Sequence, residues 1–91
     1  MDLSRRTEVQ ADCFAGQYVR SVAQSQSLGA RELAGLGELA WNLGDDVLTG
    51  RPGYSGGHGT GSARQDWFNR GLGSDVVGVC NSFVAGSDEV R

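Results

Sequence analysis

An all-α fold of two long helices, a glycine-rich loop and two short helices is predicted by three features of the sequence. Leu33, Leu36, Ala40, Leu43 and Val47 recur at spacings of three and four, the repeat of an amphipathic helix. Ala11, Phe14, Tyr18 and Val22 form a second apolar stripe with Glu8 and Asp12 beside it. The single Pro and a dense cluster of Gly are confined to one stretch, residues 49–61, which separates the helical segments.

The first helix is expected over residues 4–26. Ser4 suits the N-cap and Asp2 competes with it. Phe14, Tyr18 and Val22 are expected to turn into the core. Glu8 and Asp12 lie four residues apart, ~40° from one another around the axis, so both carboxylates ride one edge of that face. Acidic residues near a helix start suit the positive end of the macrodipole, the ordinary reading of both. Like charges at this spacing nevertheless repel by about 0.2–0.5 kcal/mol. A metal, a cationic side chain or open solvent is expected to offset that cost.

The second helix is expected over residues 30–48, with Trp41 and Leu48 broadening its stripe. This places Asp45 and Asp46 in the last turn, where negative charge is unfavourable. Their expected role is structural, capping a neighbouring helix or pairing with an Arg. A secondary metal or substrate contact is the alternative. The loop that follows is no phosphate loop, since no strand precedes it and no Gly-Lys-Ser/Thr follows. Its His58 can cap or orient the next helix, or face a cleft and stabilise an oxyanion.

A third helix, over residues 62–71, is capped by Thr60 or Ser62 and anchored in the core by Trp67 and Phe68. The segment 75–83 contains Val76, Val77 and Val79, whose β-branching allows a strand. Its Asp at the start and its length, together with the resemblance described below, favour a short helix packed on the first one. Residues 85–91 read as a polar tail that frays.

Composition narrows the function. The chain has one small domain's length, and its hydrophobic share of 38 % predicts a modest core and marginal stability. All eight basic residues are Arg, scattered from Arg5 to Arg91 on a net charge of −3, so a nucleic-acid partner is not expected. No apolar run approaches the ~20 residues of a membrane span. The first residues, Met1 to Arg6, lack the apolar stretch of a signal peptide. Any export signal is expected in a preceding segment.

Five ordered stretches carry a wider resemblance. They are Glu8-Val9-Gln10-Ala11-Asp12-Cys13-Phe14-Ala15-Gly16, Gly44-Asp45-Asp46, His58-Gly59-Thr60, Trp67-Phe68-Asn69-Arg70-Gly71 and Cys80-Asn81-Ser82-Phe83. In this order they resemble the bacterial putative neutral zinc metallopeptidase family. Glu8 and Asp12 are similar to the second half of a gluzincin zinc site. The resemblance implies Glu8 as the third zinc ligand, Asp12 as the partner holding a ligand His, and His58 as a cleft residue. Cys13 and Cys80 stand at the family's paired Cys positions. A bridge between them would stabilise by roughly 4 kcal/mol in the chain-entropy model, and two buried thiols are the alternative.

One departure shapes the expected function. The family's H-E-x-x-H supplies two His ligands and a general base, yet this chain contains a single His. The chain is therefore expected to be the C-terminal half of a zincin-like domain, residues 1–84 followed by the tail. It is expected to pack on a missing N-terminal segment and to be inactive alone. Zinc and a peptide or protein substrate belong to the complete domain. Glu8 is expected to have no protein cation bonded to it. The competing reading is a non-catalytic helical module that binds a partner through its apolar face.

Overall fold

The computed structural model describes residues 2–23 and 25–91, all-α in architecture. Helix α1 spans Asp2–Ala23, α2 Ala30–Asn42, α3 Asp45–Thr49 and α4 Gly61–Leu72. Three single 3-10 turns follow, at Val77–Cys80, Ser82–Val84 and Ser87–Glu89. Among the described residues there is no strand, so the β-branched segment near residue 77 takes the helical alternative in its tighter form. No described helix is long and apolar enough to cross a membrane.

The molecule is built on the contact of α1 with α4, with α2 packed on the far side of α4. Gly16 and Gly71 set how closely the first two helices approach. A side chain at Gly16 would drive into the Phe68 carbonyl, and one at Gly71 into that of Cys13. With both absent, backbone meets backbone. Successive contacts, Asp12 with Arg64, Gly16 with Phe68 and Arg20 with Leu72, show the two helices running in the same direction.

This crossing decides which face of α1 is covered. Val9, Asp12, Cys13 and Gly16 are buried, three and four residues apart. The stripe expected to enter the core stays outside: Phe14 is 42 % exposed and Tyr18 69 %. The two small residues draw α4 against their own side of α1, and the aromatic stripe is left facing away. The core itself comprises Val9, Cys13, Ala63, Trp67, Cys80 and Val90, with Val79 and Ala85 against it. Trp67 anchors it as expected, and Phe68 is buried beside it.

The expected second helix is two helices. It stops at Asn42, and α3 begins after Gly44. A side chain at Gly44 would collide with the backbone of Gly61, so the chain turns there against the start of α4. Asp45 and Asp46 consequently lie in the first turn of a new helix, where their charge suits the dipole, and not in the last turn of the old one. Asp46 Oδ1 accepts the Gly61 N–H at 2.8 Å, capping the neighbouring helix. Thr60 is the N-cap of α4, its Oγ1 accepting from Ala63 N–H at 3.2 Å.

Cys13 and Cys80 form a disulfide with Cα atoms 5.5 Å apart, and both are fully buried. It fastens the 3-10 segment to α1. Side chains of α1 hold the same segment by its carbonyls, Gln10 to Cys80, Gln17 to Val76, and Arg6 to Ser82 and Ala85. The tail does not fray. Val90 is fully buried, Trp67 Nε1–H donates to the Glu89 carbonyl at 2.8 Å, and Thr60 Oγ1–H donates to that of Arg91 at 2.6 Å. Two apolar residues of a largely polar run, Ala85 and Val90, pack on the core, and Val90 is the one fully buried.

Candidate functional site

Glu8 and Asp12 project from one side of α1 toward the start of α4 and the end of the glycine-rich loop. Because α1 and α4 cross so closely, Arg64 in the first turns of α4 reaches both carboxylates. Its Nε and Nη2 donate to Asp12 Oδ2 and Oδ1 at 2.8 and 3.0 Å, a bidentate pair. Nη2 also lies 3.5 Å from Glu8 Oε2. The remaining nitrogen, Nη1, donates to the Leu43 carbonyl at 3.2 Å. The Asp12 and Arg64 side chains are each 12 % exposed.

Glu8 is the outer member of the cluster, with 32 % of its side chain exposed. Its Oε1 meets His58 Nδ1 at 3.0 Å. His58 is 61 % exposed and comes from the loop, fifty positions away in sequence. Three of the residues singled out by sequence, Glu8, Asp12 and His58, thus share one locality. Cys13, next to Asp12, points the other way, into the disulfide.

Arg64 answers the question raised by two like charges on one helix face. The offset is a cationic side chain, and the expectation that no protein cation meets Glu8 is not met. The sequence holds one signal for Arg64. An Arg in the opening turns of a helix opposes the macrodipole, and such a placement calls for an anionic partner. Nothing in the local sequence says which carboxylate it finds.

The electrostatics follow from burial. Loss of solvent pushes the Asp12 carboxyl above its ordinary value; the Arg64 hydrogen bonds and charge pull against this, and the neighbouring Glu8 charge adds to the rise. Arg64 is held above its own ordinary value, chiefly by its hydrogen bonds to Asp12. The pair is therefore a partly desolvated ion pair whose members depend on one another.

These residues do not by themselves fit a zinc ion. Zinc takes three or four protein donors. Both Cys are spent in the disulfide, and among the described residues no three His, Cys, Asp or Glu form a group that could hold a metal ion. Glu8, the more exposed carboxylate of the pair, shares its surroundings with Arg64. Asp12 retains acceptor capacity beside it, because each carboxylate oxygen has two lone pairs and Arg64 engages one on each.

Beyond Glu8 on α1 the surface is apolar and open. Ala11, Phe14, Ala15 and Tyr18 are all exposed there. Leu39, Trp41 and Leu43 are exposed along and just after α2. For a domain of this size that is a large share of its big apolar side chains.

Comparison with known proteins bears on this site. A family model described as putative neutral zinc metallopeptidase matches residues 1–83. The uncharacterized protein YpfJ of Escherichia coli K12 is 41 % identical over 86 residues, covering 89 % of this chain and 30 % of that protein. The uncharacterized protein Mb2605 of Mycobacterium bovis is 34 % identical over 95 residues, covering 88 % of this chain and 32 % of its own length. The chain thus spans under a third of the curated relatives it matches. No solved structure matches it.

Proposed function

The chain belongs to the putative neutral zinc metallopeptidase family, and from that premise we propose that it forms the C-terminal part of a zinc-dependent endopeptidase domain. Glu8 supplies one zinc ligand, Asp12 orients a His ligand supplied from outside this chain, and His58 lines the cleft. The observation that carries the reading is the placement of Glu8. It stands at the rim of the helical core, its carboxylate partly open and oriented by His58, beside a bare apolar flank on α1. A ligand held in place from behind and open in front is what a composite metal site requires of its protein half. The apolar flank is the surface on which the segment bearing H-E-x-x-H packs.

On this reading the 91 residues alone do not hydrolyse peptides, since they carry neither the His pair nor the general base. The test is zinc affinity, measured by competition with a chromophoric chelator, for this chain with and without a segment carrying H-E-x-x-H. Tight zinc binding that requires both parts and is lost in Glu8→Ala supports the proposal. Equal binding with and without the segment ends it. So does robust peptidase activity of the isolated chain that Glu8→Ala abolishes.

A second reading has its own support. Val76, Val77 and Val84 are exposed along the 3-10 segment, which lies against the disulfide side of α1, and Leu3 is exposed on α1 itself. A non-catalytic helical module docking through apolar surface fits them. Binding of a protein partner that survives Glu8→Ala and needs no zinc is the outcome that favours it.

A further inference from the structure

We propose that Asp45 is the positioning residue of this site: its carboxylate fixes the loop turn that presents His58 Nδ1 to Glu8. The imidazole is mostly exposed, so packing around the ring does not set its direction. The backbone beneath it must do so. Asp45 is buried, and its Oδ2 accepts the N–H groups of both His58 and Gly59 at 3.0 Å. The Asp45 N–H donates in return to the Gly59 carbonyl at 2.7 Å. One residue thus makes three hydrogen bonds with two consecutive residues of the loop.

The same turn is tied to α1 from the other side. Arg5 Nη1–H donates to the Gly56 carbonyl at 3.2 Å, and Ser4 Oγ–H to that of Gly57 at 2.8 Å. Ser4 lies one helical turn before Glu8, so the anchor and the acceptor of His58 sit on the same rigid element. Asp45 is itself immobilised, because α3 is pressed on the start of α4 at Gly44 and capped onto it through Asp46. The loop is clamped between two helices, and the backbone that carries His58 is held from both sides. Removing the Asp45 carboxylate leaves two loop N–H groups without their acceptor, a loss that the loop relieves by moving.

The contact also selects a tautomer. A neutral imidazole whose Nδ1 faces a carboxylate carries its proton on Nδ1, leaving Nε2 free to accept. For the cleft role of His58 this deepens the reading of Glu8 as a metal ligand and rests on it; the His58–Glu8 contact itself does not. The experiment therefore uses no zinc. Imidazole nitrogen shifts of His58 are recorded by long-range NMR correlation in the 91-residue chain, at a pH where the ring is neutral. The expected result is the Nδ1–H form in the parent chain and its loss in Glu8→Ala and in Asp45→Ala.

Asp45→Asn is expected to retain the Nδ1–H form. Both loop bonds go to a single oxygen, which the amide oxygen can replace. If Asp45→Ala fails to fold, Gly56→Ala decides. An added Cβ there stands 2.9 Å from Asp45 Oδ2 and displaces the carboxylate without deleting it, so the same loss is expected. A folded Asp45→Ala chain, or a folded Gly56→Ala chain, that keeps the Nδ1–H signal at parental intensity overturns the proposal. Its absence from the parent chain does so too. Failure of the zinc titration described above, with these signals intact, would instead remove the ligand role of Glu8 and leave the positioning role of Asp45 standing.

Discussion

Arg64 and Asp12, 52 positions apart in sequence, form a bidentate ion pair across the α1–α4 contact. Both side chains are largely covered, and each leaves the other a buried charge if it is removed. The pair fixes the register of α4 on α1 at the point where Glu8 and His58 meet.

Arg64→Ala is accordingly expected to destabilise the fold by roughly 3 kcal/mol, the scale for stranding one partner of a covered pair. Lys at this position restores only part, because a point charge cannot reproduce two parallel N–H bonds. Denaturant unfolding checks this. A loss below about 1 kcal/mol would place the pair with screened surface bridges.

Two aspartates should titrate on opposite sides of the ordinary value. Burial raises Asp12, while the hydrogen bond from Arg6 to half-exposed Asp2 lowers that group. Folded Asp12 holds its proton more tightly than the unfolded chain does, so its contribution falls as pH rises from the unfolded to the folded value. Asp2 has the reverse sign. Its contribution is present above the unfolded value and is lost as pH falls through the folded one. Carboxyl-carbon NMR titration reads both, and Asp2 titrating above Asp12 would contradict this assignment of causes.

Glycine-to-alanine changes should split by location. Gly71→Ala puts a methyl into the Cys13 carbonyl on the facing helix and is expected to cost about 1–3 kcal/mol or more. Gly35, inside α2, has open space where a Cβ would go, and Gly35→Ala is expected to stabilise by about 0.5–1 kcal/mol. Thermal melts of the two variants should therefore move in opposite directions. A neutral Gly71→Ala would mean that the helices can separate without loss.

The disulfide closes 67 sequence positions and holds the 3-10 segment on α1. Reduction, or Cys13→Ala with Cys80→Ala, is expected to cost roughly 4 kcal/mol by the chain-entropy argument. Hydrogen exchange should accelerate first in residues 77–84, whose other ties to α1 are single side-chain bonds to carbonyls. Unchanged exchange there after reduction would show those bonds to be sufficient alone.

Several features were open to reading from the sequence because they are local. Periodic apolar residues mark the helices. Thr60 three residues before Ala63 marks a cap, and the spacing of Glu8 and Asp12 puts both on one face whatever surrounds them. The resemblance further indicated the Cys pair. The burial of α1 was decided only in three dimensions. Its most apolar stripe, with Phe14 and Tyr18, is exposed, because contact with α4 follows the two residues small enough to let backbones touch, Gly16 and Gly71.

The site divides in the same way. Which carboxylates travel together is legible from spacing, since 3.6 residues per turn fixes the angle between positions 8 and 12. The sequence also places the one His in a glycine-rich loop. Packing in three dimensions brings Arg64 to both acids and makes Asp45 open a helix and clasp the loop. It likewise buries Val90 in the core. Each of these joins residues 13 to 52 positions apart or more, and such partners are chosen by how helices pack. Side-chain periodicity, a property of neighbouring residues, holds no information about them.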